Sequence, residues 1–258
     1  MTALGDNFDI LFNRKTSTDV AIVTDEGNKP NLADFTIAFW LNADENYHNG
    51  TPFSYYVPGS PEERIEIFFT DSKLQVRIKT DFLDAPCHII DGNWHFIGVI
   101  WSGDLGIFSL YLDGQELDRV DVSTGASLVR GGYMVLGQRY SSKTDRYITE
   151  DSYAGLMHQF HMWLTPGSTS NMWNAAHSCS WPIGGDVTAW IEFIFGLKGN
   201  TQKRFPTSCK GKRKRYHRPS ELGMLGVSLA LLASRSQKMP WPVFFPNVGC
   251  APSRKIKP

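Results

Sequence analysis

Asp91-Gly92-Asn93-Trp94-His95-Phe96-Ile97-Gly98-Val99-Ile100-Trp101, followed by Ile107-Phe108-Ser109-Leu110-Tyr111-Leu112-Asp113-Gly114, is the stretch that decides the fold. From Trp94 to Trp101 it is apolar almost without a break, the pattern of a central strand covered on both faces. The run from Ile107 ends in Asp-Gly, a dipeptide that tolerates the positive φ angles of a two-residue hairpin. The same grammar holds on either side. Phe35, Ile37 and Phe39 share one face of a strand from Phe35 to Trp40. Ile65 to Phe69 passes through Asp71-Ser72-Lys73 into Leu74, Val76 and Ile78, which alternate with Gln75, Arg77 and Lys79. That pair predicts a hairpin whose second strand has one wet face. Met134 to Leu136 and Leu156 to Leu164 supply further strands, and Ser168 to Ala176, after Pro166-Gly167, is the one short helix. Short apolar runs punctuated by Gly, Asp, Asn and Pro are the signature of an all-β sandwich or barrel, and the alternating strands with repeated turn signals favour a two-layered antiparallel β-sandwich.

The net charge of zero conceals a division along the 258 residues. Residues 1–197 hold 12 Lys and Arg against 25 Asp and Glu, whereas the remainder holds 14 basic residues and the single acid Glu221. Halves of such opposite charge differ in structure and in partners. Residues 1–209 are therefore expected to form the sandwich domain. Residues 210–258, with the basic cluster Lys212-Arg213-Lys214-Arg215 and five prolines from Pro240 on, are expected to form a non-globular, disordered tail able to meet polyanions. No segment has the ~18 consecutive apolar residues of a membrane span. Met1 to Phe12 lacks the basic and apolar regions of a secretory signal, so the chain reads as a fragment of a longer secreted protein or an incomplete gene model.

Five stretches, in order, resemble the pentraxin domain of the laminin-G-like, concanavalin-like group. They are Asp91 to Trp101; Leu112-Asp113-Gly114; Val135-Leu136-Gly137-Gln138; Ser152-Tyr153-Ala154-Gly155 with Trp163; and Gly185-Asp186-Val187-Thr188-Ala189-Trp190. The resemblance covers residues 8 to 209 and implies a sandwich of the jelly-roll, laminin-G-like type. Gly50 to Tyr55 and Ala189 to Gly196 are most similar to the pentraxin domain of polydom-type mosaic proteins. The disulfide that joins two neighbouring strands in pentraxins falls here on Ala38 and Gly98, so both of its cysteines are replaced by small residues.

Four cysteines remain, Cys87, Cys179, Cys209 and Cys250. The placing of Cys179 and Cys209 around Trp190 resembles the closing disulfide of neuronal pentraxins. The competing pair is Cys87 with Cys179, and four free thiols in a cytosolic protein is the bland alternative. A bridge would place the protein in an oxidising, extracellular compartment. Asn49-Gly50-Thr51 is a glycosylation sequon in an expected loop.

The resemblance also implies where a calcium site would lie. Pentraxins draw oxygen ligands from an Asp-Asn pair before one strand, from an acidic run after the Leu-Gly-Gln motif, and from a Gln or acid before the late glycine. These positions fall on Glu62 and Glu63, with a two-residue slip onto Arg64-Ile65 as the alternative; on Arg139-Tyr140-Ser141; and on Asp151. Calcium takes 6–8 oxygens, and Arg139 puts a cation where a carboxylate belongs. The expectation is at most one weak calcium site, built from Glu62, Glu63 and Asp151, with Arg139 and Tyr140 meeting the ligand directly.

Function follows as a ligand-recognition or adhesion module, not an enzyme. Its partners would be glycans, phospholipid head groups or protein surfaces, and the family resemblance adds homo-oligomerisation. Two alternatives stand beside it: a glycoside hydrolase on the same scaffold, for which Glu62, Glu63 and Glu66 are the nearest carboxylate cluster, and a polyanion binder driven by the tail. His158 and His161, three apart on a strand, are expected on opposite faces and hence unable to share a metal. They and His95 read as structural.

Overall fold

The computed structural model describes residues 6–210 except Asn28 and Pro182, so the expected tail from 210 to 258 lies almost wholly outside the described residues. Among the described residues, sixteen strands form in chain order. The first seven are β1 (Asp9–Phe12), β2 (Val20–Thr24), β3 (Asp34–Ala43), β4 (Asn49–Val57), β5 (Ser60–Thr70), β6 (Lys73–Ile78) and β7 (Asp81–Pro86). Next come β8 (His95–Ser102), β9 (Ile107–Leu112), β10 (Gln115–Asp121), β11 (Tyr133–Leu136), β12 (Tyr140–Ser141), β13 (Arg146–Tyr147) and β14 (Gly155–Trp163). Helix α1 (Thr169–Ala176) precedes β15 (Leu197–Lys198) and β16 (Gln202–Arg204).

Two seven-stranded sheets make the two layers. The first has the order β10-β9-β8-β3-β14-β1-β16 and the second β15-β2-β11-β4-β5-β6-β7, while β12 and β13 form a small separate hairpin. Every strand pair is antiparallel. As its composition requires, β8 lies inside its sheet and is buried along its whole length. Asp113 and Gly114 take positive φ angles of 51° and 85°, as the hairpin between β9 and β10 demands. The turn at Asp71 is tighter than expected, with Lys73 already in β6 and paired with Thr70.

Between the layers, Phe35, Ile37, Phe39 and Leu41 of β3 and Ile97, Val99 and Trp101 of β8 meet Phe53, Tyr55, Ile65, Ile67 and Phe69 of the second sheet. These fully buried side chains supply the dominant stabilising term, at about 25 cal/mol per Å2 of apolar surface removed from water. A second, smaller core lies outside the first sheet. Met172, Ala175 and Ala176 of α1 pack there over Ala38, Trp40, Phe96, Ile100 and Tyr111, together with Cys179 and Cys209. Ser168 caps the helix by accepting from the Asn171 amide at 3.2 Å.

Ala38 and Gly98 are directly paired across β3 and β8, the two strands that pentraxins join by a disulfide. The room is taken by the helix: a Cβ on Gly98 would lie 2.6 Å from the Met172 sulfur. Cys179 and Cys209 are bridged, with their Cα atoms 6.0 Å apart, which excludes the pair Cys87 with Cys179. The bridge ties the exit of the last strand to the end of α1.

The histidines correct one expectation. A β-bulge between His158 and His161 inserts Gln159, at φ 53°, into β14. The extra residue shifts the alternation, so both rings lie on the outer side of the first sheet, His158 against Trp40 and Trp94 and His161 against Trp163. Both remain structural, because His158 bonds the Phe8 and Cys179 carbonyls and His161 accepts from the Gly185 and Trp190 amides. Burial pushes the His161 ring down to about 4, with His158 adding to the effect, so it stays neutral.

Two predictions follow from this packing. Replacing Cys179 and Cys209 together by serine removes a cross-link spanning 30 residues and is expected to cost about 3 kcal/mol in the chain-entropy model, read by denaturant melts. His95 gives a pH dependence. Its buried ring lies 3.0 Å from both Asp91 and Asp113; burial lowers its pKa, but the two carboxylates outweigh that and raise it above 6.5. The stability it contributes is therefore complete below pH 6.5 and lost as pH rises through the raised value. Melting temperatures measured upward from pH 6 should fall in the wild type and run flatter in His95→Asn.

Candidate functional site

The outer face of the first sheet is covered by α1, but that of the second is not. Strand alternation points Phe53, Tyr55, Ile65, Ile67 and Phe69 into the core, so Ser54, Tyr56, Arg64, Glu66 and Phe68 have the parity of the outer face. The chain from 137 to 153 folds back across this face. Gly137 starts it at φ 86°, where a Cβ would also strike the Phe12 ring at 2.3 Å, and only glycine fits. Gln138 then locks the loop: its carbonyl accepts from the Ser54 hydroxyl at 2.7 Å, and its side-chain amide donates to the Asp19 carbonyl at 2.7 Å.

Arg139 is the centre of the arrangement. Its Nε donates to Glu66 Oε1 at 3.2 Å and its Nη1 to Asp151 Oδ2 at 2.8 Å, with Phe68 under the guanidinium at 6.0 Å. Burial disfavours the charged form, but Glu66 and Asp151 prevail and hold its pKa above the ordinary value. The second oxygen of Glu66 accepts from Arg77 at 3.2 Å. One guanidinium thus joins strand β5 to the loop by charge-assisted hydrogen bonds.

Beside it lies a tyrosine cluster. Tyr56 and Tyr140 stack with centroids 3.9 Å apart and planes 7° from parallel; Tyr133 tilts against Tyr56, and Tyr147 stands edge-on to Tyr140. Tyr140 donates to the Asp145 carboxylate, which pushes its phenol up to about 12. A cleft of about 340 Å3 opens between this cluster and the β4–β5 hairpin, lined among others by Tyr56, Pro61, Arg64, Tyr140, Ser142 and Asp145.

The residues expected to hold calcium are not brought together. Asp151 is taken by Arg139. Glu63 has the parity of the core residues Ile65 and Ile67, and its carboxylate leaves the face to meet Lys79 at 2.6 Å and the Val129 amide at 2.8 Å. Glu62 is exposed. No group of three potential ligands that could hold a metal occurs among the described residues, and a guanidinium sits between the acids that remain. These residues do not fit a calcium ion. Arg139 and Tyr140 do lie side by side in the loop, one engaged with carboxylates and the other facing the cleft. Sequence reasoning places Arg64 only as the slipped alternative for the first calcium position and Glu66 only in a carboxylate cluster, and it misses Tyr56. Alternation from Ile65 and Ile67 was the signal that could have found Arg64 and Glu66. Asn49 opens β4, paired with Thr70, and is not in a loop; its amide donates to the Glu150 carbonyl at 3.1 Å.

A family model described as the Concanavalin A-like lectin/glucanases superfamily matches residues 15–171. The chain belongs to this superfamily. Its curated relatives include neuronal pentraxin-2 of Cavia porcellus, 29% identical over 190 residues, and neuronal pentraxin-1 of Rattus norvegicus, 29% identical over 210 residues. These matches cover 70% and 80% of this chain but only 42% and 48% of the relatives, so the chain spans less than half their length. A match of 30% identity over 182 residues reaches the sushi, von Willebrand factor type A, EGF and pentraxin domain-containing protein 1 of Rattus norvegicus, covering 69% of this chain and 5% of that one. Among solved structures, the heptameric SAP-like pentraxin of Limulus polyphemus superposes with a TM-score of 0.64 at 18% identity, over 79% of this chain and 97% of its own. This concanavalin A-like domain therefore shares the pentraxin fold.

Arg139→Met tests the clamp. Its side chain is 32% exposed and that of Asp151 29% exposed, so solvent screens the pair and the expected loss is about 1–2 kcal/mol, below the cost of breaking a fully buried pair. Thermal melts should show a fall of several degrees for Arg139→Met and a smaller one for Arg139→Lys, which keeps charge without the fork.

Proposed function

We propose that the domain, taken as residues 1–209, is an extracellular ligand-recognition module that binds glycans on the outer face of its second sheet, without a metal and without turnover. The observation that carries this reading is the Arg139 clamp. It occupies both Glu66 and Asp151 and holds the loop over an open aromatic cleft, so that a ligand would meet protein groups such as Tyr140. The lectin-type family and the pentraxin relatives support a binding module, and the Cys179–Cys209 bridge supports an oxidising compartment. Glu62 is exposed, Glu63 is engaged by Lys79 and Glu66 by Arg77 and Arg139, which disfavours their working as a catalytic pair. Likeness to the heptameric Limulus pentraxin makes a multivalent homo-oligomer part of the proposal.

The test is a glycan and phosphocholine array, run with calcium and with EDTA beside a hydrolysis assay on every sugar that binds. Glycan binding of equal strength in both buffers, with no released sugar, is expected. Binding abolished by EDTA, or any turnover of a bound sugar, would refute the proposal.

A further inference from the structure

Arg64 differs from the other arginines on the outer face of the second sheet. Arg77 and Arg139 are paired with Glu66, and Arg139 also with Asp151. Arg64 lines the cleft half-buried, makes no ion pair among the described residues, and its buried Nε has no hydrogen-bond partner. That Nε is closed off from the cleft, so a ligand there would meet the terminal nitrogens of the guanidinium, which form no ion pair among the described residues. A planar guanidinium selects a planar two-oxygen acceptor, which is a carboxylate or a related oxyanion.

The rest of the cleft narrows the class. Asp145, exposed and already accepting from Tyr140, also lines it, as do the exposed Ser142 hydroxyl and the Tyr56–Tyr140 stack. A carboxylate in the cleft repels a densely charged sulfate or phosphate chain, but it accepts hydrogen bonds from sugar hydroxyls. A cation, a hydroxyl acceptor and aromatic surface within about 340 Å3 suit a ring that carries one carboxylate and several hydroxyls.

We infer that this cleft is an acidic-sugar site, in which Arg64 receives the carboxylate of a uronic or sialic acid residue and Asp145 accepts from its ring hydroxyls. The inference rests on the glycan-binding reading above and names its ligand class and a specificity residue for it.

The experiment titrates the domain with methyl β-glucuronide, methyl N-acetylneuraminide, methyl β-glucoside and sodium sulfate, followed by NMR. Arg64→Gln is tested in parallel, with a melting curve for each protein. Arg64 gives up no internal partner, so the variant should melt at the wild-type temperature. At least one of the two acidic sugars should bind the wild type, and that affinity should fall at least about tenfold in Arg64→Gln, a change worth 1.4 kcal/mol. The neutral glucoside should bind weakly and equally to both. Equal affinity of acidic and neutral sugars, an unchanged affinity in the variant, or sulfate binding as well as the sugars would overturn this inference and leave a glycan-binding face intact. Failure of every glycan on the array would instead sink the reading beneath it.

Discussion

A single guanidinium organises the exposed face of the second sheet. Arg139 reaches from a loop between two strands to Glu66 on β5 and to Asp151 before β14, and so fixes where the loop crosses the sheet. Without Arg139, Asp151 would lose its cation and Glu66 would keep only Arg77, with nothing to join the two. The tyrosine stack, the hairpin of β12 and β13 and the cleft all depend on the loop being held there. The cation at this point is supplied by the chain itself.

The rest of the molecule explains why this face is free. Helix α1 and the Cys179–Cys209 bridge cover the other sheet, with Met172 seated over the Ala38–Gly98 pair. With one outer face closed and the layers sealed against each other by aromatic and branched side chains, the outer face of the second sheet is where polar side chains can gather on a rigid frame. The site therefore stands on strands β4, β5 and β11, whose inward residues are in the core, and only its cover is a loop.

The architecture was legible in the sequence because it rests on alternation and punctuation. The apolar run of β8, the Asp113-Gly114 hairpin and the capped helix after Pro166-Gly167 all lie where their patterns put them. Weak signals were lost: β7 contains Asp81, Asp84 and Pro86, and β16 is exposed along its length, so neither shows a clean apolar face. The histidines were misplaced because a bulge adds one residue to β14 and reverses parity beyond it. The site was partly legible. Arg139 lies between Glu66 and Asp151, whereas Glu63, which the resemblance groups with Asp151, has a parity that sends it to Lys79. Glu66 escaped notice as the partner of Arg139 because their pairing joins residues 73 apart in the chain, a contact that no local pattern reports.

The claim that an arginine stands in place of a metal is most directly tested by a crystal structure grown in excess calcium, with anomalous data collected to locate the ion. The account predicts the Arg139 guanidinium bridging Glu66 and Asp151, with no anomalous peak on this face. A calcium ion coordinated by Asp151, with Arg139 swung out into solvent, would contradict it.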